Sequence, residues 1–222
     1  EADSRVRILK NDTRSGVAGS RNRAIRESSG TYIAIVDGDD YYDLRRFERQ
    51  VRFLRDNPHI SVVGSNIFLV DENDSVIGER LYPEDHERIK KSFLFKMAVA
   101  NPSIIVRKND VAEVGFFDES LVKAEDFDLW LRFLAKKKKM HNLQDKLVYY
   151  RTQSNDNKKR GRVHYNNYYR TLKMHSKFIW PLNKRVASLI FFFAISYIPD
   201  FLLNYLLNLR IVWRIKNIRI TG

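Results

Sequence analysis

The sequence of 222 residues contains no cysteine, which excludes a disulfide framework and thiolate metal sites and fits a reducing compartment. Its five histidines show no ligand spacing, and there is neither a glycine-rich phosphate loop nor a nucleophile elbow. These absences argue against a histidine-rich metal centre, P-loop chemistry and serine hydrolysis. No secretory leader is visible in "EADSRVRILKND", a charged opening that reads as the middle of a longer chain. Acidic residues are scarce at the far end: residues 136–222 hold only Asp145, Asp156 and Asp200 against 19 Lys and Arg, whereas residues 1–135 hold 24 acids against 21 bases. A mildly acidic region is thus followed by a strongly basic one, which points to a polyanionic partner such as an anionic membrane surface or nucleic acid.

What is present can bury one good core, with room for an appendage. A short strand is expected at 5–11 and a helix over 16–28 with Ala18, Ala24 and Ile25 inward. Tyr32 to Val36 form an apolar run without polar alternation, as in a strand covered on both faces of a parallel sheet. Leu44, Phe47, Val51 and Leu54 recur at helical spacing, and "ISVVGSNIFLVDENDSVIGERLYP" reads as two strands around an Asp-Glu-Asn-Asp turn. A short helix at "HERIKKSFLFKM", a strand at "NPSIIVRK" and a capped helix at "NDVAEVGFFDES" follow. Next come a helix at "AEDFDLWLRFLAKK", with Phe127, Trp130, Leu131 and Leu134 inward, and a last strand at "KLVYYRTQ". This alternation of strands and helices predicts an α/β layer with a largely parallel sheet.

Residues 158–185 read as basic, aromatic and helical, and 186–209 are apolar except for a break at Pro199-Asp200. Neither half of that stretch has the roughly 20 residues a spanning helix needs, so a hairpin dipping into one leaflet, or helices lying at the interface, is expected. Flanking cations Lys184, Arg185, Arg210, Arg214, Lys216 and Arg219 can meet anionic headgroups, with Trp180, Tyr197, Tyr205 and Trp213 as interfacial residues.

Two acidic sets carry the candidate chemistry. Asp37, Asp39 and Asp40 crowd around Gly38 at a strand's carboxyl end, where two hard carboxylates suit Mg²⁺ or Mn²⁺ with substrate phosphates, or else form a solvated turn that caps the next helix. Glu125, Asp126 and Asp128 open a helix; the helix dipole alone favours them, but Asp126 can serve as a general base if it faces the first set across a cleft. Arg21-Asn22 can bring a cation to a phosphate or be surface polarity.

The blocks "NDTRSGVAGSRNRAI" (11–25), "SSGTYIAIVDGDDYY" (28–42), "NPSIIVRK" (101–108) and "GFFDESLVKAEDFDLWLR" (115–132) together resemble the family-two inverting glycosyltransferases of GT-A fold, over about residues 5–152. The resemblance implies an α/β GT-A sheet with helices on both faces. It also implies a nucleotide-diphospho-sugar donor, UDP-linked by preference, and a divalent metal (Mg²⁺ or Mn²⁺) on Asp37 and Asp39, with Asp39 the direct ligand. Asp126 is the implied catalytic base and Arg21 a residue near the nucleotide. By comparison the first two strands are missing, and Gln153 stands where the family often has a histidine. Residues 1–152 are then expected to be an N-terminally incomplete catalytic domain, and 153–222 a basic, apolar helical tail at the cytoplasmic face of a cell membrane. The expected acceptor is a glycan or lipid-linked glycan, and nucleic acid is not expected as a partner. The rival reading is a non-catalytic module binding membrane, or binding nucleic acid through stacking on Tyr165, Tyr168, Tyr169 and Trp180.

Overall fold

A computed structural model describes residues 3–152, 161–208 and 218–220. Gln153, Arg210, Trp213, Arg214 and Lys216 lie outside these.

The centre of the sheet is β3 (Ile60–Val70). Along one edge it pairs with β6 (Lys139–Arg151); along the other its first half meets β5 (Ile105–Arg107) and its second half β4 (Val76–Arg80). β1 (Tyr32–Ala34) adds outside β5, β2 (Tyr41–Tyr42) outside β6, and β7 (Ile218–Ile220) outside β4. Only β3 with β6 is parallel among the described residues; the other five pairings are antiparallel. The expected largely parallel sheet is therefore corrected. Strand–helix alternation reports layering, not direction. Here the Asp71–Asp74 turn returns the chain as a hairpin, and the helices beside β5 are only seven residues long, too short for a full crossover.

Strand periodicity sorts the core. Val62, Ile104 and Val106 face a large cluster with Phe93, Phe127 and Trp130, while Val63 and Ile105, one residue out of phase, face a smaller one with Leu54. The smaller cluster is covered by α2 (Arg46–Asp56). The larger one is covered by α1 (Gly16–Glu27), α3 (His86–Ser92), α4 (Lys108–Val114) and α5 (Glu125–Ala135), together with α6 (Arg162–His175) and α7 (Leu182–Tyr197). Helices thus lie on both faces. Of the expected inward residues Leu54 is buried and Val51 packs against the same cluster, but Leu44 and Phe47 are exposed, and Arg46 and Gln50 take the remaining inward places. Arg46 is 1 % exposed yet donates to the carbonyls of Ile35 and Ile104 and to Gln50, and Gln50 donates to Val63 and Ser103. A polar face that satisfies strand ends has no apolar periodicity to reveal it.

Smaller corrections have similar causes. Residues 5–11 form no strand and leave Val6 and Ile8 exposed; Arg7 and Arg23 tie the segment to α1 instead of to a sheet edge. Ala24 is exposed, and Asn22 takes the inward place expected of it. β1 is half-buried, not covered on both faces, and the run ends in an exposed Val36. β6 begins seven residues before "KLVYYRTQ".

Beyond residue 160, α6 lies on α5 with Tyr168 stacked on Phe127 (3.8 Å between ring centroids), and Phe192 of α7 is buried in the same cluster. α8 (Asp200–Asn208) follows the Pro199 break, and Asp200 accepts from the Arg162 N–H at 2.8 Å, capping α6. Among the described residues no helix is long and apolar enough to cross a membrane.

Candidate active site

The acidic loop after β1 is held from below and from one side. The Tyr42 hydroxyl accepts the Asp37 N–H at 2.8 Å, and the Tyr42 ring lies under the Arg46 guanidinium. Arg151, at the end of β6, donates its N–H to Asp40 (2.9 Å) and its Nε–H to the Asp39 carbonyl (3.1 Å), and its guanidinium also reaches the Asp71 carbonyl and Asp74. Asp40 is thereby turned inward while Asp39 is left exposed. No motif marked Tyr42 or Arg151 as positioning residues. The only hint was an arginine at the end of a strand that must finish beside the acids.

Asp40 is the strained member. Burial pushes its pKa up to about 6 against the Arg151 N–H bond, with Asp39 and Asp37 adding repulsion, and its Oδ2 is buried without a partner among the described residues. A carboxyl whose folded pKa lies above its unfolded one adds stability below the unfolded value, and loses it as pH rises through about 6. Asp40→Asn keeps the acceptor for Arg151 and removes the charge. Without added metal it should raise stability at pH 7 by about 1–2 kcal/mol, discounted for partial exposure, and leave it nearly unchanged at pH 4. Thermal melts at the two pH values check this; a destabilised variant at pH 7 would contradict it.

The second acidic set reaches the first through Arg21. Its guanidinium donates to Asp37 Oδ1 at 3.0 Å and to Glu125 Oε1 at 3.4 Å, so α1 joins the loop after β1 to the start of α5. Asn22, buried beside it, exchanges hydrogen bonds with the Phe117 backbone and fixes α1 against the segment leading to α5. That segment ends at Ala124, whose φ of 67° is strained for a residue with a Cβ and aims the first turn of α5. Asp126 Oδ1 accepts the Phe127 N–H at 2.7 Å. Asp128, by contrast, points into the fold: burial raises its pKa, but His175 at 3.1 Å and Arg132 at 2.8 Å outweigh this and hold it below the usual range.

Asp37, Arg21, Glu125 and Asp126 line one cavity of about 520 Å³, within the range of small-molecule sites. Of the four expected site residues, Arg21, Asp37 and Asp126 are thus brought to one place, and Asp39 does not line it. Among the described residues no group of three or more His, Asp or Glu is arranged to hold a metal ion. Asp37 and Asp39 supply two hard oxygen donors. That set fits a Mg²⁺ or Mn²⁺ bound mainly through substrate phosphates and water, and not one caged by protein. Nothing in the fold requires Gly38: a Cβ there would meet no atom, so the space beside the two acids is open.

The chain is 29 % identical over 227 residues to an uncharacterized glycosyltransferase of Methanocaldococcus jannaschii, covering 95 % of this chain and 75 % of that one. It is 30 % identical over 149 residues to the Escherichia coli UDP-Glc:alpha-D-GlcNAc-diphosphoundecaprenol beta-1,3-glucosyltransferase WfaP, covering 67 % of this chain and 57 % of WfaP. In fold it resembles the mannosyltransferase PcManGT of Pyrobaculum calidifontis, solved with GDP-Man and Mn²⁺, with a TM-score of 0.56 at 10 % identity over 89 % of this chain and 54 % of that one. The chain thus spans between half and three quarters of the length of these proteins. The model of the family described as "Glycosyltransferase like family 2" matches residues 2–186, from the segment before α1 through both acidic sets and into α7, and the chain belongs to that family.

Proposed function

We propose that this chain transfers a sugar from a nucleotide-diphospho-sugar, UDP-linked by preference, to an acceptor hydroxyl with inversion, in the synthesis of a surface polysaccharide. The observation that carries the reading is the Arg21 bridge, which joins Asp37 to Glu125 at the wall of a cavity also lined by Asp126. Asp126 takes the proton of the acceptor hydroxyl; the oxygen attacks the anomeric carbon as the bond to the diphosphate breaks on the opposite face, and that single displacement inverts the centre. In this reading Arg21 brings its cation to the nucleotide phosphate. Asp39, with Asp37, would hold a divalent cation that neutralises charge on the leaving diphosphate. WfaP's name, with its UDP-Glc and diphosphoundecaprenol, supports a UDP-linked donor and a lipid-linked acceptor, and PcManGT, solved with GDP-Man and Mn²⁺, supports the nucleotide-sugar and metal class. Calorimetric titration of a UDP-sugar with and without Mn²⁺ tests the metal assignment: Asp39→Asn should abolish the Mn²⁺-dependent gain in donor affinity while the fold persists. An unchanged Mn²⁺ dependence would overturn it.

In this reading residues 1–152 carry the transfer, and 153–222 hold the chain at the cytoplasmic face of a membrane, where a lipid-linked acceptor lies. The support is a helix pair with two kinds of face. Ser188, Phe192 and Ser196 of α7 are buried, while Ile190 (63 % exposed), Tyr197 (64 %) and Phe201 (78 %) on α7 and α8 present apolar surface, and Lys184 is exposed at the start of α7. Apolar insertion is not screened by salt, whereas cation–headgroup attraction is. The full chain should therefore float with anionic liposomes, and high salt should release it only in part. A chain that ignores such liposomes would contradict this placement. The aromatic residues open to the nucleic-acid reading have other partners: Tyr168 and Trp180 are buried, and Tyr165 and Tyr169 pack against the core.

A further inference from the structure

The cavity that holds Asp126 is larger than its acidic end. Its wall continues through Lys96 and Arg80 to Ile195 of α7, Ile198 in the link that follows and Leu206 of α8. The surface from the acids to the tail helices is therefore one space, polar where the chemistry lies and apolar where α7 and α8 close it. Phe95 and Phe191, which also line it, are both exposed and meet edge to face at 5.3 Å, so the apolar part reaches the protein surface at these rings.

Two features put cationic groups on this wall. The Nε of Arg80 is buried there without a hydrogen-bond acceptor among the described residues. Lys96 is half-buried there, and that burial lowers its pKa. Cations held partly out of water beside hydrocarbon match an amphiphile with an anionic head and an apolar chain; they match neither a free sugar nor a bare hydrocarbon.

We infer that this groove binds the acceptor lipid itself, a diphosphate-linked prenyl-type chain, with Lys96 and Arg80 on the diphosphate and Ile195, Ile198 and Leu206 along the first part of the hydrocarbon. The inference rests on the acceptor class proposed above. α7 and α8 then do more than attach the chain to a membrane: they form the wall along which the lipid leaves the bilayer and presents its sugar to Asp126.

Calorimetry on the full chain tests this, with farnesyl diphosphate, inorganic pyrophosphate and dihexanoyl phosphatidylglycerol as probes, each below its aggregation concentration. Farnesyl diphosphate should bind on the order of tenfold or more tightly than pyrophosphate, because only it fills the apolar wall. Ile195→Trp, which fills the groove, should erase that preference, and Leu206→Trp serves where the first variant melts early. Lys96→Ala should weaken farnesyl diphosphate and pyrophosphate alike, and Met174→Gln, exposed on α6 and outside the groove's wall, should change neither. Equal affinity for farnesyl diphosphate and pyrophosphate overturns the inference. So does wild-type binding by both tryptophan variants, or phosphatidylglycerol binding as tightly as the diphosphate, which would indicate a general membrane surface. UDP with Mn²⁺, titrated into the same samples, reports the donor side separately: failure there with the farnesyl preference intact counts against the transferase reading and leaves the groove standing.

Discussion

Asp126→Asn should lower turnover by about 10² to 10⁴-fold with donor affinity nearly unchanged. Asparagine keeps the size of the side chain, and its Oδ1 can still accept the Phe127 N–H that now bonds Asp126 at 2.7 Å. The start of α5 should therefore stay in place. What is lost is a group able to take a proton from the acceptor hydroxyl, an event confined to the transition state, so kcat falls and the donor's dissociation constant does not. The neighbouring Glu125 is a useful contrast. It pairs with Arg21 at 3.4 Å, and Glu125→Gln weakens that pair without touching the base, so its effect should fall mainly on donor binding. Single-turnover rates with saturating donor separate the two. An Asp126→Asn chain with near wild-type turnover would move the base elsewhere.

Phe127→Ala should be the most damaging change to the fold. Phe127 is fully buried and lies at the meeting point of three helices and the α3 end: its ring stacks on Tyr168 of α6 at 3.8 Å and 6° and sits 5.8 Å from Phe93 and 6.2 Å from Phe192 of α7. Removing it leaves a cavity that these rings cannot all close at once, and costs about 3–5 kcal/mol. For a chain of this size that lowers Tm by about 10 °C. Phe201, on the exposed face of α8, provides the control: Phe201→Ala should alter stability by no more than about 0.5 kcal/mol. A drop of only a degree or two for Phe127→Ala would mean that α6 and α7 are not part of the same core as α5.

Most helices, and the β3–β4 hairpin, were legible in the sequence because each buries an apolar face of the proper period. Phe127, Trp130, Leu131 and Leu134 are buried as expected. The direction of the strands was not legible, since helix–strand alternation does not record which way a connection runs. Nor was the whole inward face of α2, where Arg46 and Gln50 are buried to satisfy the carbonyls of Val63 in β3, of Ile35 just after β1 and of Ser103 and Ile104 just before β5, a demand created only when those strands assemble. At the candidate site the acids could be picked out as a group, but not which of them would turn inward. Asp40 is consumed by Arg151 and Asp128 by His175, both distant in sequence, with Arg132 one turn along the helix also holding Asp128, and Asp37 and Asp126 are left at the cavity.

The most direct measurement is the anomeric configuration of the product. The full chain, Mn²⁺, an α-linked UDP-sugar and a farnesyl-diphosphate-linked GlcNAc acceptor are followed by proton NMR at the anomeric positions. The expected result is a β-linked disaccharide, formed one for one with UDP and lost in Asp126→Asn. An α-linked product, or transfer that persists unchanged in that variant, would contradict single displacement driven by Asp126.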